Sequence, residues 1–87
     1  MKFFYTYVLM SLKDGKFYTG FTQDLKTRFD EHNNGKVEST KYRRPFELIY
    51  FECSRHKNDA LHREKYLKTT YGKKYIRNRL KYDLEKK

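Results

Sequence analysis

The chain has 87 residues, with 21 Lys and Arg against 11 Asp and Glu and a formal net charge of +10. This length predicts a single small domain over 1–87 with a thin core. The sequence contains no apolar run near the roughly 18 residues of a membrane span, and "MKFFYTYVLM" lacks the cleavage site of a signal peptide. The single Cys53 excludes an internal disulfide. These features favour a soluble, cytoplasmic protein without a membrane partner.

The large positive charge indicates an anionic partner, because such a charge opposes compact folding through self-repulsion. A merely basic soluble protein is the alternative. Lys and Arg concentrate in the segments 35–45 and 72–87, which also carry tyrosines. Basic side chains interleaved with aromatic rings suit a phosphate backbone with stackable bases better than a membrane surface. We expect nucleic-acid contacts from both segments, through Lys41, Arg43, Arg44, Lys73 and Lys74.

The chain opens with a predicted β-hairpin. The segment "FFYTYVLM" at 3–10 is rich in aromatic and β-branched residues, and "KFYTG" at 16–20 has the same character. Between them, "KDGK" supplies the Asp-Gly pair that favours a tight turn. The two segments are therefore expected to pair as antiparallel strands.

A helix is predicted after the hairpin. Thr22 or Asp24 can cap a helix that begins near Leu25. The sequence "NNG" at 33–35 ends it, because Asn and Gly favour the left-handed conformation found at helix ends. A long loop follows.

The third predicted strand is "FELIYFE" at 46–52, which begins after a proline. Strict alternation would place Phe46, Leu48 and Tyr50 on one face of the sheet. A second helix is expected from Asn58 or Asp59, with one stripe formed by Ala60, Leu61, Glu64, Leu67 and Lys68.

Gly72 is expected to separate the second helix from a basic C-terminal helix. The element order is then β-β-α-β-α-α. This order predicts an α/β fold of the α+β type, built on a small antiparallel sheet.

Three charged or titratable residues occupy unusual places on the predicted helices. Arg28 and His32 border the apolar stripe of the first helix, and Glu64 interrupts the stripe of the second. A carboxylate in such a position needs a charged, hydrogen-bonding or metal partner. An Arg28 to Glu64 salt bridge that pins the two helices is the structural alternative to a functional site, and the spacing alone does not decide between them.

The pattern of these residues resembles that of a nuclease superfamily. The triplets "YTY" at 5–7 and "YTG" at 18–20, the helix residues Arg28 and His32, and "ALHREKYLK" with Glu64 resemble the GIY-YIG nucleases. The likeness runs almost end to end and is strongest to short stand-alone bacterial members, which are similar to the N-terminal nuclease domain of the excision-repair incision subunit. It implies a three-stranded antiparallel sheet flanked by helices, and hydrolysis of a phosphodiester at a single metal ion.

The resemblance also implies roles for individual residues. The catalytic positions of the family match Tyr7, Tyr18, Arg28, His32 and Glu64, with Glu64 as the metal ligand. Gly20 ends the second triplet, where the missing side chain would allow close approach to the nucleic-acid substrate or the following helix, and Asn78 matches a late asparagine loosely. The chain departs from the family at Tyr5, Thr6 and Thr19, which replace Gly, Ile and Ile.

These residue types suit the implied chemistry. A lone carboxylate such as Glu64 suits Mg²⁺, or Mn²⁺ in its place, because the ion keeps most of its waters. A planar arginine fork at Arg28 would neutralise the charge that develops on the phosphoryl oxygens. Tyr7 or Tyr18 would orient or deprotonate the attacking water, and His32 would instead be the base or only form a hydrogen bond with a tyrosine. Tyr7, Tyr18, Arg28 and Glu64 are expected to converge on one open cleft.

Two functions from different classes follow. The first is a metal-dependent endonuclease that acts on structured or damaged DNA in repair or recombination. The second is a nucleic-acid-binding protein that retains the nuclease fold but does not cut alone. A structural module for an acidic protein is a third, weaker hypothesis. A protein partner that supplies specificity, and a monomer or weak dimer, are compatible with the first two.

Overall fold

The computed structural model describes residues 2–85 of the chain. Residues 1, 86 and 87 of the predicted domain lie outside this range. The described chain forms three strands, four helices and one 3-10 turn. In chain order these are β1 (Phe4–Ser11), β2 (Phe17–Thr22), α1 (Leu25–Asn33), the 3-10 turn (Lys41–Arg43), β3 (Phe46–Ser54), α2 (Lys57–Leu67), α3 (Thr70–Arg79) and α4 (Lys81–Glu85).

The three strands form one antiparallel sheet in the order β2-β1-β3. The hairpin of β1 and β2 pairs Tyr7 with Gly20 and Leu9 with Tyr18. The central strand β1 is the most buried element, since both faces of the sheet are covered by helices. The predicted hairpin, the antiparallel sheet and the element order are confirmed, with α4 as an additional short helix.

A β-bulge corrects the predicted faces of β3. The register between β1 and β3 shifts between Val8 and Leu9, so that Val8 lies opposite Tyr50 and Leu9 opposite Leu48. One extra residue, Ile49, therefore interrupts the alternation of side chains. Leu48 packs on the α1 side of the sheet, whereas Tyr50 packs on the α2 and α3 side with Ile49. The prediction that Tyr50 shares a face with Leu48 was wrong.

Helix α1 covers one face of the sheet, and its predicted bounds are confirmed. Asp24 is the N-cap, and its carboxylate accepts a hydrogen bond from the Thr27 backbone N–H. The core beneath α1 consists of buried residues of the strands and half-buried neighbours, namely Tyr7, Leu9, Phe46, Tyr18, Leu25, Phe29 and Leu48. This face carries Tyr7 and Tyr18, one tyrosine from each of the two sequence triplets that resemble the nuclease motif.

Helices α2 and α3 cover the opposite face of the sheet. Val8, Leu67 and Ile76 form its buried core. The Thr6 hydroxyl donates a 2.7 Å hydrogen bond to the Ala60 carbonyl, which ties the central strand to α2. Two details differ from the prediction. The N-cap of α2 is the His56 side chain, and Leu61, expected on the buried stripe, is exposed.

Gly72 lies inside α3 and does not separate two helices as predicted. It is buried against the end of α2, where a Cβ atom would collide with the backbone of Tyr66 and Leu67. The break between α2 and α3 instead falls at Thr69, whose side chain caps α3 by accepting from the Gly72 N–H. A helix position without a side chain is thus used to bring two helix backbones close together.

The long loop after α1 is fixed to the sheet by side chains. Asn33 at the end of α1 exchanges two hydrogen bonds with the backbone of Phe46, at 2.8 and 3.1 Å. The Ser11 hydroxyl at the end of β1 donates to the Arg43 carbonyl at 2.6 Å. These contacts close the loop over the α1 face and place Thr40 next to the core. Among residues 2–85, no helix has the length and apolar character needed to span a membrane.

Candidate active site

Tyr7 and Gly20 fit together at the centre of the α1 face. They are opposite each other in the hairpin, and the Tyr7 ring extends across Gly20 towards the edge strand β2. A Cβ atom at position 20 would collide with the Tyr7 hydroxyl and the end of its ring. The space at Gly20 is occupied by the Tyr7 side chain of the paired strand, and not by the following helix.

A buried hydrogen-bond chain begins at the Tyr7 hydroxyl. The hydroxyl lies 2.8 Å from Nε2 of His32, and Nδ1 of the same imidazole lies 2.8 Å from the Thr40 hydroxyl. Tyr7 is 1% exposed, and His32 and Thr40 are fully buried. These hydrogen bonds thus link the central strand, helix α1 and the following loop within the core.

Burial shifts the pKa values of Tyr7 and His32, the two titratable groups of this hydrogen-bond series. It raises the pKa of the Tyr7 phenol to about 12, with the Arg28 guanidinium acting in the opposite direction. Burial, and to a smaller extent the positive charge of Arg28, lowers the pKa of the His32 imidazole to about 4. Both groups are therefore neutral at pH 7, and a proton transfer from Tyr7 to His32 is unfavourable in the free protein.

Arg28 and Tyr18 form the outer side of the same cluster. The Arg28 guanidinium interacts with the Tyr7 hydroxyl and with Glu31, whose carboxylate it contacts at 3.1 Å. The Arg28 side chain is 36% exposed. The Tyr18 ring is half-buried and packs edge-on against His32, with centroids 5.0 Å apart. A ligand can therefore reach Arg28 and Tyr18, whereas Tyr7 and His32 lie behind them.

Glu64 lies on α2 and is partly shielded from water. Its carboxylate is near enough to Tyr7 for its negative charge to raise the pKa of the phenol, after the larger effects of burial and of neighbouring groups. It forms an ion pair of 3.1 Å with Lys68, one turn further along α2. Arg28 is paired with Glu31. The predicted alternative of an Arg28 to Glu64 salt bridge between the helices was therefore wrong.

Glu64 is the residue of this cluster that could hold a cation. Residues 2–85 contain no group of three or more His, Cys, Asp and Glu side chains arranged for a metal ion. A single carboxylate fits an ion that keeps most of its water ligands, and such an ion would compete with Lys68, the present ion-pair partner of Glu64. The donor set is compatible with Mg²⁺ or Mn²⁺ and unsuited to a structural zinc site.

Some of the residues predicted to contact nucleic acid already bind other groups of the protein, and others are exposed on a helix. Arg43 is held by Asp14 at 3.0 Å and by the Lys16 carbonyl at 3.2 Å. Lys41 pairs with Glu38 at 3.2 Å. Arg44 donates to the backbone of the 3-10 turn. The remaining predicted contacts, Lys73, Lys74 and Asn78, are on α3 and exposed.

The structure brings the two basic segments together in one cleft. We call this the basic cleft; it has a volume of about 390 Å³ and is lined by Lys16, Phe17, Arg43, Lys73 and Arg77. The Arg77 guanidinium lies 4.7 Å from the centroid of the Phe17 ring. Lys16 and Arg77 were not among the predicted contacts, because only the folded structure shows that the hairpin, the loop and α3 meet at this cleft.

Glu31 and Thr40 were also missed by sequence reasoning. Glu31 follows Arg28 by three residues, so helical spacing could have indicated the pair. Thr40 lies in an irregular loop eight residues after His32. No periodicity relates the two positions, and only the folded loop brings them into contact.

The low pKa of His32 has a consequence for stability. Between the unfolded value of 6.5 and about 4, the unfolded chain binds a proton that the folded chain does not. Stability should therefore fall as the pH falls, by about 2 kcal/mol between pH 7 and pH 5. Urea unfolding at both pH values would measure this loss. His32→Gln, which can still reach Tyr7 and Thr40, should lose less stability over the same interval; an equal loss would contradict the assignment to His32.

Fold and cluster together define a class of protein. It is a small α+β domain in which tyrosines of a β-hairpin lie against an arginine and a histidine of the following helix, and a glutamate of the next helix is near enough to one tyrosine to raise its pKa. A family model described as the GIY-YIG catalytic domain matches residues 3–80. The chain belongs to the GIY-YIG family, which is a nuclease domain family.

Relatives of similar length support this membership. A UPF0213 protein of Staphylococcus saprophyticus is 40% identical over 74 residues, covering 84% of this chain and 89% of the relative. A UPF0213 protein of Bacillus pumilus is 45% identical over 71 residues, covering 80% of this chain and 71% of the relative. The solution NMR structure of a UPF0213 protein from Bacillus halodurans is 32% identical with a TM-score of 0.53, covering 85% of this chain and 81% of that one.

Proposed function

We propose that the chain is a metal-dependent endonuclease that hydrolyses phosphodiester bonds in DNA. The observation that carries the proposal is the accessible pair of Arg28 and Tyr18 in front of the buried Tyr7–His32 pair, with the Glu64 carboxylate nearby. A cation, a phenol and a carboxylate within one small region suit a phosphodiester and the water that attacks it.

In this proposal, Arg28 binds the non-bridging phosphoryl oxygens and stabilises the charge that develops on them. Glu31 and Tyr7 orient its guanidinium, so that fewer rotamers are lost when the substrate binds. Tyr18 orients the attacking water, because it is the accessible phenol of the cluster. Tyr7 and His32 are buried beneath Arg28 and Tyr18, and they support Arg28 through hydrogen bonds without touching the substrate.

Glu64 would hold the divalent ion, Mg²⁺ or Mn²⁺. When bound there, such an ion would polarise the phosphoryl group and stabilise the leaving oxygen. Lys68 already compensates the charge of Glu64 in the free protein, so cation binding competes with this ion pair. The Glu64 carboxylate is only 20% exposed, which limits screening by water and strengthens its interaction with a cation.

The substrate proposed is structured or damaged DNA, of the kind formed in repair or recombination. The basic cleft offers three cations without an acidic partner among residues 2–85, namely Lys16, Lys73 and Arg77. Contacts from such side chains follow the phosphate backbone and carry no sequence information. Recognition of DNA shape, or a partner protein, would then supply specificity.

The proposal is tested with pure protein and matched substrates. Branched, flapped, nicked and linear DNA, and the corresponding RNA, should be incubated with Mg²⁺, with Mn²⁺ and with excess chelator. We expect cleavage of at least one structured DNA that depends on the cation and stops with chelator. Binding to DNA without cleavage under all of these conditions would favour the second function, a nucleic-acid-binding protein that retains the nuclease fold.

The basic cleft makes a separate prediction about salt. Lys16→Ala combined with Lys73→Ala should weaken DNA binding and reduce the slope of log affinity against log salt by up to ~0.9 for each phosphate that is no longer neutralised. Lys26→Ala combined with Lys57→Ala is the matched control, because it removes the same charge from exposed sites outside the cleft. Fluorescence anisotropy at several salt concentrations gives both slopes. Equal slopes for the two double variants would show that the cleft is not the contact surface.

A further inference from the structure

Thr40 completes the hydrogen bonds of the buried His32 imidazole. Its hydroxyl lies 2.8 Å from Nδ1 of His32 and 3.4 Å from the Val37 carbonyl. A hydroxyl has one proton, and the Val37 carbonyl is an acceptor only. When the hydroxyl donates to Val37, its oxygen is left to accept a proton from Nδ1. With Thr40 oriented in this way, the loop accommodates the His32 tautomer protonated at Nδ1.

The Tyr7 end of the hydrogen-bond series indicates the same direction of proton donation. The Tyr7 hydroxyl lies 2.8 Å from His32 Nε2, and the Arg28 guanidinium also interacts with it. A guanidinium only donates, so between these two neighbours the Tyr7 proton is accepted by Nε2. This leaves the Tyr7 oxygen as the acceptor that faces Arg28. All donors then point one way, from Arg28 through Tyr7 and His32 to Thr40.

We propose that Thr40 is a positioning residue of the nuclease site, which fixes the His32 tautomer and through it the direction of the Tyr7 hydroxyl that holds Arg28. The inference rests on the proposed function only for its effect on cleavage. Reversal of the tautomer would place a proton on Nε2, and the Tyr7 proton would turn towards the Arg28 donors. Two donors would then oppose each other, and Arg28 would no longer be oriented by the Tyr7 oxygen.

The position of Thr40 adds a connection to the basic loop. It directly precedes the 3-10 turn Lys41–Arg43, and its backbone carbonyl accepts from the Arg43 N–H at 2.9 Å. The same turn carries the Arg43 side chain that lines the basic cleft. A single buried threonine thus joins the catalytic cluster to the loop that would lie against the nucleic-acid backbone.

The first test needs no variant. Long-range ¹⁵N–¹H NMR spectra of histidine rings at pH 7 distinguish the two tautomers, and His32→Gln identifies the His32 signals. We expect one neutral ring protonated at Nδ1, with Nε2 unprotonated. A His32 ring protonated at Nε2 in the parent protein would overturn the proposal, whether or not the protein cleaves DNA.

The second test compares three variants. Thr40→Val keeps the shape but removes the hydroxyl, and it should produce a population protonated at Nε2 and lower kcat by about tenfold or more with little change in KM. Thr40→Ser should restore both the spectrum and kcat. Thr6→Val is the matched control, since it removes another buried threonine hydroxyl, bonded to Ala60 on the opposite face, and should leave the His32 tautomer unchanged.

The outcomes separate positioning from packing. A Thr40→Val protein that keeps the Nδ1 tautomer, or one with the parent's kcat, overturns the proposal. If Thr40→Val does not fold, the parent spectrum and Thr40→Ser still decide: a serine variant that folds but loses the tautomer would show that the hydroxyl is not what fixes it. A correct tautomer in a protein that never cleaves DNA would refute the proposed function and leave the structural inference intact.

Discussion

Glu64→Gln is expected to reduce DNA cleavage by about 100-fold or more, because the charge that would hold the cation is removed and a cation supplies several kcal/mol of transition-state stabilisation. DNA binding should survive or become tighter, since a negative charge near the phosphate is removed. Cleavage under single-turnover conditions and anisotropy with the same DNA measure the two effects separately.

The fold should tolerate this change. The partner of Glu64 is Lys68, whose side chain is 55% exposed, so loss of the pair costs at most about 1 kcal/mol of stability. Asp30→Asn is the matched control, because it breaks the Lys26–Asp30 pair of the same spacing and the same 3.1 Å distance on α1. A Glu64→Gln protein that cuts as well as its parent would end the assignment of Glu64. An equal loss of cleavage in Asp30→Asn would point to a general effect of charge.

Gly20→Ala is expected to have the largest effect on the core of the site. The new Cβ would overlap the Tyr7 hydroxyl and ring, so Tyr7 must move and give up its hydrogen bond to His32. Such overpacking costs about 1–3 kcal/mol, and the buried imidazole nitrogen left without a donor adds about 1–3 kcal/mol. Urea unfolding should show the combined loss, and cleavage should fall because the Tyr7 oxygen no longer orients Arg28.

A double-mutant cycle isolates the interaction between Tyr7 and Gly20. In a Tyr7→Leu background the hydroxyl and the end of the ring are absent, so Gly20→Ala should cost much less stability than in the parent. The coupling between the two changes is therefore expected to be large. If their stability costs simply add, the two residues are not in the contact described, and the role of Gly20 must lie in the backbone of β2.

The proposed division of the site changes how the tyrosines are understood. The sequence left Tyr7, Tyr18 and His32 as equal candidates to act on the attacking water. Tyr7 and His32 are buried, hydrogen-bonded to each other and neutral at pH 7. Tyr18 is the one of the three that a substrate can reach. This arrangement favours Tyr18 for the water and assigns Tyr7 and His32 to the support of Arg28.

Features set by neighbours along the chain were determined by the sequence itself. The turn "KDGK", the Asp24 cap and the stop at "NNG" fixed the hairpin and the bounds of α1, since each depends on residues a few positions apart. The same holds for the motif residues of the hairpin and α1. The helical stripes and the resemblance to the nuclease motif together predicted that Tyr7, Tyr18 and Arg28 converge with Glu64.

Contacts between residues distant in the chain were decided only by the tertiary structure. The bulge at Ile49 depends on the register of β3 against β1, and the burial of Gly72 depends on the packing of α3 against α2. The choice of Glu31 over Glu64 as the partner of Arg28 depends on how the helices lie across the sheet.

The hydrogen bond between His32 and Thr40 shows the physical reason most clearly. It joins a helix with regular spacing to a loop that has none, so no periodicity in the sequence relates the two residues. The burial that makes His32 neutral comes from strands, helix and loop acting together. Residue type and spacing determined which groups this protein has, whereas the packing of separate elements decided which of them are buried, which are paired and which a substrate can reach.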